Sequence, residues 1–64
     1  MIDFYYETDE GGKSLSWSTL CKRCGIAFYM PTTYELIAIR ERIAKEKKIS
    51  ADQIQIRQNG LAIL

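Results

Sequence analysis

The feature that most constrains the fold of this chain is the sequence Cys21-x-x-Cys24-Gly25, which contains both of its cysteines. Two cysteines three positions apart can present both thiolates to one metal ion across a tight turn, and a following glycine can adopt positive φ. A structural zinc ion needs four ligands, and the chain has no histidine. The sequence therefore predicts half of a zinc site, a knuckle whose other ligands must come from elsewhere.

The length of the chain limits how much stability its core can supply. Its 64 residues form one domain, residues 1–64, and domains of this size commonly gain stability from a disulfide, a metal or a partner subunit. Apolar residues make up 47% of the sequence, which excludes a disordered chain. Nine Lys and Arg residues balance eight Asp and Glu residues, so no overall charge attracts nucleic acid or anionic lipid.

No part of the sequence has the pattern of a targeting or membrane segment. The first residues lack the basic and apolar stretches of a signal peptide. The longest apolar run, residues 26–30, is far shorter than a membrane span. We therefore expect a soluble, cytoplasmic protein that does not contact membranes and keeps its cysteines reduced.

Alternation of apolar and polar residues predicts five strands. The alternating stretches are residues 2–8, 14–19, 26–30, 53–57 and 61–64. Hairpin turns are predicted at the paired glycines between the first two strands and at Asn59-Gly60, the strongest two-residue turn signal in the chain. The first two strands are therefore expected to pair antiparallel.

One helix of about 16 residues is predicted between the third and fourth strands, from an N-terminal capping signal and from apolar residues at helical spacing. Thr32 and Glu35 have the spacing of a capping box. Apolar residues from Leu36 to Ile43 recur at helical spacing, and a run of lysines places positive charge at the far end.

These elements give the order β-β-knuckle-β-α-β-β. The expected fold is α+β, with a small four- to five-stranded, mainly antiparallel sheet and one helix packed on one face. The predicted core consists of the inward-facing side chains Ile2, Phe4, Tyr6, Leu15, Trp17, Ile26, Phe28, Met30, Leu36, Ile39, Ile43, Ile54, Ile56, Leu61 and Ile63. The opposite face is expected to be open and polar, with Tyr5 and Tyr29 on it.

Cys21 and Cys24 are the predicted metal ligands, and a second chain is the predicted source of the missing two. The hairpin acids Asp9 and Glu10 would lie at the wrong end of the second strand. Two cysteine pairs across a two-fold axis would form a four-cysteine zinc site, which contributes on the order of 10 kcal/mol to folding. Residues 21–29 resemble half of a zinc ribbon, and this resemblance implies zinc as the one cofactor.

Three other states of the cysteines remain open. A Cys21–Cys24 disulfide would close a four-residue loop and would stabilise the chain by only about 2 kcal/mol. A thioredoxin-like redox motif places its first cysteine at a helix N-terminus, whereas a strand is predicted to follow Gly25 here. The third state is a pair of reduced, metal-free thiols.

Protein–protein interaction is the function that the residues favour. The chain lacks a histidine base, a phosphate-binding loop and a nucleophile elbow, so we expect no enzymatic activity. We expect a small non-catalytic adaptor or stoichiometric inhibitor, of the kind encoded by phages and mobile elements, that forms a homodimer. The predicted contact residues are Tyr5, Tyr29 and Arg57 on the open face and Lys22 and Arg23 beside the knuckle, because Tyr and Arg often dominate binding energy.

The alternative prediction is a nucleic-acid-binding regulator. Zinc knuckles can present basic residues such as Lys22 and Arg23 to nucleic acid, and the helix end adds more positive charge. Phosphate affinity depends on concentrated positive charge, however, and the net charge of this chain is only +1.

Overall fold

The computed structural model describes all of residues 1–64 and contains one sheet and two α-helices. The elements are β1 (Ile2–Thr8), β2 (Gly11–Ser16), α1 (Trp17–Cys24), α2 (Thr33–Lys47), a 3-10 turn at Ala51–Gln53, β3 (Gln55–Gln58) and β4 (Leu61–Ala62). The strand order is β2-β1-β3-β4, and every neighbouring pair is antiparallel. The predicted α+β class with a small antiparallel sheet is therefore confirmed.

β1 is a central strand and supplies the middle of the core. Its inward side chains Ile2, Phe4 and Tyr6 are buried, and Phe4 lies directly opposite Ile56 of β3. Both helices cover this face of the sheet, because the same core also contains Trp17 and Cys21 of α1 and Leu36, Ile43 and Ala44 of α2. The other face of the sheet has no helix on it.

α2 forms as its sequence predicts. The side chain of Thr32 accepts a hydrogen bond from the Glu35 amide at 3.2 Å, and the Glu35 carboxylate accepts one from the Thr32 amide at 3.1 Å. This is the predicted capping box, which satisfies amides that the first turn leaves free. The helix is followed by Lys48 in the left-handed conformation, with a φ of 59°. Neither helix is long and apolar enough to cross a membrane.

The second predicted strand was wrong beyond Ser16. The side chain of Ser16 accepts a hydrogen bond from the Thr19 amide at 3.2 Å, so Ser16 caps a helix that begins at Trp17. Trp17 and Cys21 then point into the core from successive turns of α1. Because Ser16 caps this helix, the alternation of serines with apolar residues does not continue as a strand beyond Ser16.

The knuckle between two strands was also wrong, because Cys21 and Cys24 lie in the last turns of α1. Gly25 follows the helix with a φ of 70°, and its amide donates to the Lys22 carbonyl while the amide of Ile26 donates to the Cys21 carbonyl. This pair of bonds is the Schellman motif that ends many helices. Gly25 therefore serves as the cap of α1.

Residues 26–30, predicted as the third strand, belong to no regular element. They lie in the short connection between α1 and α2, and both helices pack on one face of the sheet. A connection that stays in the helical layer does not bring these residues to a sheet edge. Ile26, Phe28 and Met30, which were predicted to be buried, are 47%, 61% and 64% exposed.

The C-terminal hairpin is confirmed at its turn and shorter than predicted in its last strand. Asn59 and Gly60 both have positive φ, 53° and 84°, as a type I′ turn requires. β4 has only two residues and lies at the edge of the sheet, where no helix covers it. Leu61 and Ile63 are for this reason 74% and 45% exposed, and their predicted burial was wrong.

Candidate functional site

The largest departure from an ordinary small domain is a run of exposed apolar side chains between the helices. Residues 26–30 read Ile-Ala-Phe-Tyr-Met, and the four large side chains among them are 42% to 64% exposed. Large apolar side chains are usually buried in a core, and a contiguous exposed set of them marks an interaction site. We call residues 26–30 the apolar segment.

The backbone of the apolar segment is almost free of hydrogen bonds. The amide of Ile26 bonds to the end of α1, but the amides of residues 27–30 donate no backbone hydrogen bond. One carbonyl, that of Tyr29, accepts a hydrogen bond from the indole of Trp17. None of residues 26–30 has positive φ, and Pro31 biases the preceding Met30 toward extended conformations. The segment therefore has free amides, and no residue in it adopts the left-handed conformation that would interrupt a strand.

Besides the bond that its carbonyl accepts from Trp17, Tyr29 makes two side-chain contacts that attach the apolar segment to the helices. Its ring packs edge-to-face on Trp17, with 5.4 Å between the ring centroids. Its hydroxyl donates a hydrogen bond to the Glu35 carboxylate of the α2 capping box. This bond raises the pKa of Tyr29 and lowers the pKa of Glu35, which the Thr32 amide lowers further. Phe28 and Met30, on either side of Tyr29, stay exposed.

The apolar segment continues into a wider patch at the end of β1 and β3. Met1, Phe28 and Met30 line one small cavity of about 150 Å³ together with Gln58. Leu61 is the cross-strand neighbour of Gln58 and is 74% exposed. The N-terminal amine of Met1 donates to the Asn59 side chain at 2.6 Å, which fixes Met1 beside the β3–β4 turn. We call Met1, Phe28, Met30 and Leu61 together the apolar surface.

The two cysteines occupy different environments on α1. Cys21 is 2% exposed within the core, whereas Cys24 is exposed, and the two are not joined by a disulfide. Both line a cleft of about 390 Å³ between α1 and α2. Nowhere in the chain do three or more Cys, Asp or Glu side chains group as metal ligands. A zinc site shared with a second chain would require Cys21 to turn out of the core.

The position of the pair also bears on redox chemistry. The reactive cysteine of a thioredoxin-like motif lies at a helix N-terminus, next to free amides. Cys21 and Cys24 lie at the opposite end of their helix, where carbonyl groups are the unsatisfied groups. The strand that was expected after Gly25 is absent, and the position of the cysteines at the carbonyl end of α1 is what disfavours a thioredoxin-like site.

The open face of the sheet holds two of the predicted contact residues in a fixed arrangement. Arg57 donates two hydrogen bonds to Asp3, at 2.8 and 3.0 Å, and its guanidinium lies 4.4 Å from the centroid of the Tyr5 ring. The bonds to Asp3 raise the pKa of Arg57. Glu7 accepts a long hydrogen bond from the Tyr5 hydroxyl, at 3.5 Å. Tyr5 and Arg57 are thus neighbours, as expected for residues of one sheet face.

The other predicted contact residues lie elsewhere. Tyr29 packs against Trp17 on the helical side of the sheet and not on the open face, because its strand does not form. Lys22 and Arg23 are exposed in the last turn of α1, where positive charge is favourable near the helix carbonyls. The five residues therefore do not form one surface.

Sequence reasoning missed the apolar surface because it assigned Phe28, Met30 and Leu61 to the core. A signal for their exposure was present in α1. Trp17, Leu20, Cys21 and Cys24 have the i, i+3, i+4, i+7 spacing of a helix face, with Gly25 where a helix cap belongs. A helix there leaves residues 26–30 as a connection between two helices.

Comparisons of the chain with protein-family models, with curated protein sequences and with solved structures find no match.

Proposed function

We propose that the protein is a small non-catalytic protein–protein interaction module, an adaptor or stoichiometric inhibitor that binds a partner through its apolar surface. The observation that carries this proposal is the apolar segment, whose large side chains are exposed and whose amides at residues 27–30 have no backbone partner. Aromatic residues and Met are enriched at interface centres, and Phe28 and Met30 are of these types. The proposal moves the main contact from the open sheet face to the helical side.

The open face supports the same class of function as a secondary contact. Arg57 is held in place by Asp3 and Tyr5, so little side-chain freedom would be lost when a partner binds it. Polar residues surround the pair, which is typical of an interface rim and not of an interface centre. We therefore expect smaller losses of affinity from changes at Tyr5 or Arg57 than from changes at Phe28.

The test is site-specific photo-cross-linking in the cell from which the sequence comes. A benzophenone side chain at position 28 should cross-link one partner protein, and the same group at position 34 should not. Tyr34 is the matched control, because it is an aromatic residue that is 86% exposed outside the apolar surface. The captured protein must then bind the purified chain at a defined stoichiometry, and Phe28→Ser must weaken that binding. Equal cross-linking from both positions would refute the proposal.

A zinc site shared by two chains stays a separate prediction. Cys24 is exposed and available, but Cys21 is not. Metal content measured together with mass in solution tests it. One zinc per two chains, lost in Cys24→Ser, would support the shared site, and a metal-free chain whose melting is unchanged by chelator would refute it.

Nucleic-acid binding also stays a prediction. Arg23 and Arg42 line the same interhelical cleft, but Glu46 lines it with them and reduces the positive charge. Binding of DNA or RNA should be strongest at low salt, where few counterions compete. Absence of binding under those conditions would end this alternative.

A further inference from the structure

We infer that the occupant of the apolar surface is a second copy of this chain, whose apolar segment pairs antiparallel with the apolar segment of the first copy. This inference rests on the proposed interaction role of the apolar surface and names a second copy as its occupant, which leaves the open sheet face for a different protein. The pairing would be two-fold symmetric about residue 28, so that residue 26 of one copy faces residue 30 of the other and residue 27 faces residue 29. A two-fold interface of this kind uses the same patch twice and closes at a dimer.

The first support is the backbone of the apolar segment. The amides of residues 27–30 have no backbone partner, and unpaired backbone groups are able to pair with another chain. None of residues 26–30 has the positive φ that would interrupt a strand. Ile, Phe, Tyr and Met side chains suit a strand that is covered on one face. A second copy supplies a matching set of amides and carbonyls.

The second support is charge. The apolar segment itself carries no charged residue. Its N-terminal flank is basic, with Lys22 and Arg23, and its C-terminal flank carries Glu35. Antiparallel pairing brings the basic flank of each copy toward the acidic flank of the other. Parallel pairing would place like charges together, which is unfavourable at an interface.

The third support is the amount of surface. The chain exposes 4690 Å², whereas a monomeric protein of 7.4 kDa is expected to expose about 4200 Å². A buried aromatic side chain covers about 150–250 Å², and the four large side chains of the apolar segment are on average about half exposed. Taking that area for all four gives on the order of 300–500 Å² per copy, so two copies approach the roughly 1000 Å² that a specific interface needs.

This arrangement has consequences for the other predicted sites. The two Cys21–Cys24 pairs would lie at opposite ends of the strand pair, too far apart to share one zinc ion, whose sulfur ligands lie only about 2.3 Å from it. Tyr5 and Arg57 would remain on the open sheet face of each copy, available to a different protein.

Sedimentation equilibrium over a range of concentrations tests whether the partner is a second copy. The parent chain should reach twice its 7.4 kDa mass as concentration rises. Phe28→Asp should weaken self-association at least about 30-fold, because a charge would be buried at the centre of the interface. Gln55→Asp introduces the same charge at an exposed position on the open sheet face, away from both flanks of the apolar segment, and should leave association unchanged. Both changes are at exposed side chains, so folding is retained.

Amide hydrogen exchange tests the strand pairing. Antiparallel pairing uses alternate residues of a strand, and the Tyr29 carbonyl is already bonded to Trp17 of its own chain. The amides of residues 28 and 30 should therefore exchange slowly in the parent dimer and at unprotected rates in folded Phe28→Asp. A dimer in which these amides exchange freely would overturn the strand pairing, and a chain that is monomeric at every concentration would overturn the dimer. If such a monomer still cross-links another protein through position 28, the proposed function stands without this inference. If the dimer forms but captures no other protein, the inference stands and the adaptor or inhibitor role fails.

Discussion

Two five-residue stretches of this chain have nearly the same sequence pattern and opposite surroundings. Residues 2–6 of β1 read Ile-Asp-Phe-Tyr-Tyr, and residues 26–30 read Ile-Ala-Phe-Tyr-Met. Phe4 is 0% exposed at the centre of the core, whereas Phe28 at the matching position is 61% exposed. β1 pairs with a strand on each side, but the apolar segment pairs with none.

The difference shows that strand pattern alone does not make a strand. β1 is followed by a tight turn that returns β2 along one edge, and β3 reaches its other edge from across the chain. The apolar segment instead leaves one helix at Gly25 and enters the next at Thr32. The apolar segment has no strand partner within its own chain, and we propose that a second copy supplies it.

The comparison predicts its largest effect at the two phenylalanines. Phe4→Ala should lower the free energy of unfolding by about 3–5 kcal/mol, because it leaves a cavity in a packed core. Phe28→Ala should change it by no more than about 0.5 kcal/mol at protein concentrations where the chain is monomeric, since the side chain is already in water. Urea unfolding measures both.

The dependence of stability on protein concentration distinguishes the Phe4→Ala variant from the Phe28→Ala variant. Dimerisation stabilises the folded state by mass action, so the loss caused by Phe28→Ala should grow as concentration rises. The decrease in unfolding free energy caused by Phe4→Ala should have its full size even at low protein concentration. A Phe28→Ala loss that is large and independent of concentration would mean that Phe28 belongs to the monomer core.

The next largest effect on stability is expected at the turn between β3 and β4, which places the edge strand β4 beside β3. Gly60 has a φ of 84°, so Gly60→Val should cost about 1–2 kcal/mol, because a β-branched side chain resists positive φ. Gly60→Asn is the matched control, since Asn tolerates this conformation and should cost less. Thermal unfolding of the two variants gives the comparison, and equal melting temperatures would contradict the turn.

A smaller effect is expected at the two helix ends. Gly25 and Lys48 both have positive φ and follow helices that end with the same hydrogen-bond pattern. Gly25→Ala should destabilise the chain by about 1 kcal/mol, and Lys48→Gly should stabilise it by up to about 1 kcal/mol, because only glycine adopts this conformation without steric cost. Changes of the same sign in the two variants would contradict this account of the caps.

The smallest effect is the pH dependence of the tether between Tyr29 and Glu35. The folded-state pKa of Glu35 lies below 4.5, so its contribution is present above that pH and is lost as the pH falls through the folded-state pKa. The folded-state pKa of Tyr29 lies above 10.0, so its contribution is present below that pH and is lost as the pH rises through the folded-state pKa. Tyr29→Phe should therefore differ from the parent in stability near neutral pH and converge with it at both extremes. A difference that is the same at all pH values would argue against the hydrogen bond.

Local signals in the sequence predict those parts of the fold that local interactions determine. The capping box of Thr32 and Glu35 predicts the start of α2, and Asn59-Gly60 predicts the last turn, because each depends on residues a few positions apart. α1 was missed because residues 14–19 alternate like a strand while Trp17 and Cys21 also fit a helix. The cap at Ser16 decides between the two patterns.

The candidate site was not predictable in the same way. Phe28 and Met30 are apolar, and their sequence pattern does not say whether they are covered by the same chain or by another. Their exposure follows from the path between α1 and α2, which depends on the packing of both helices on one sheet face. Tyr5 and Arg57 were placed correctly on the open face because β1 and β3 were both identified as strands.

The most direct test of the central claim is an isotope-filtered nuclear Overhauser experiment on a mixture of labelled and unlabelled chains. We expect intermolecular contacts between Ala27 of one chain and Tyr29 of the other, and between the two Phe28 residues. Such contacts would place residue 28 on the two-fold axis of an antiparallel strand pair. A spectrum in which residues 26–30 show contacts only within their own chain would contradict the claim.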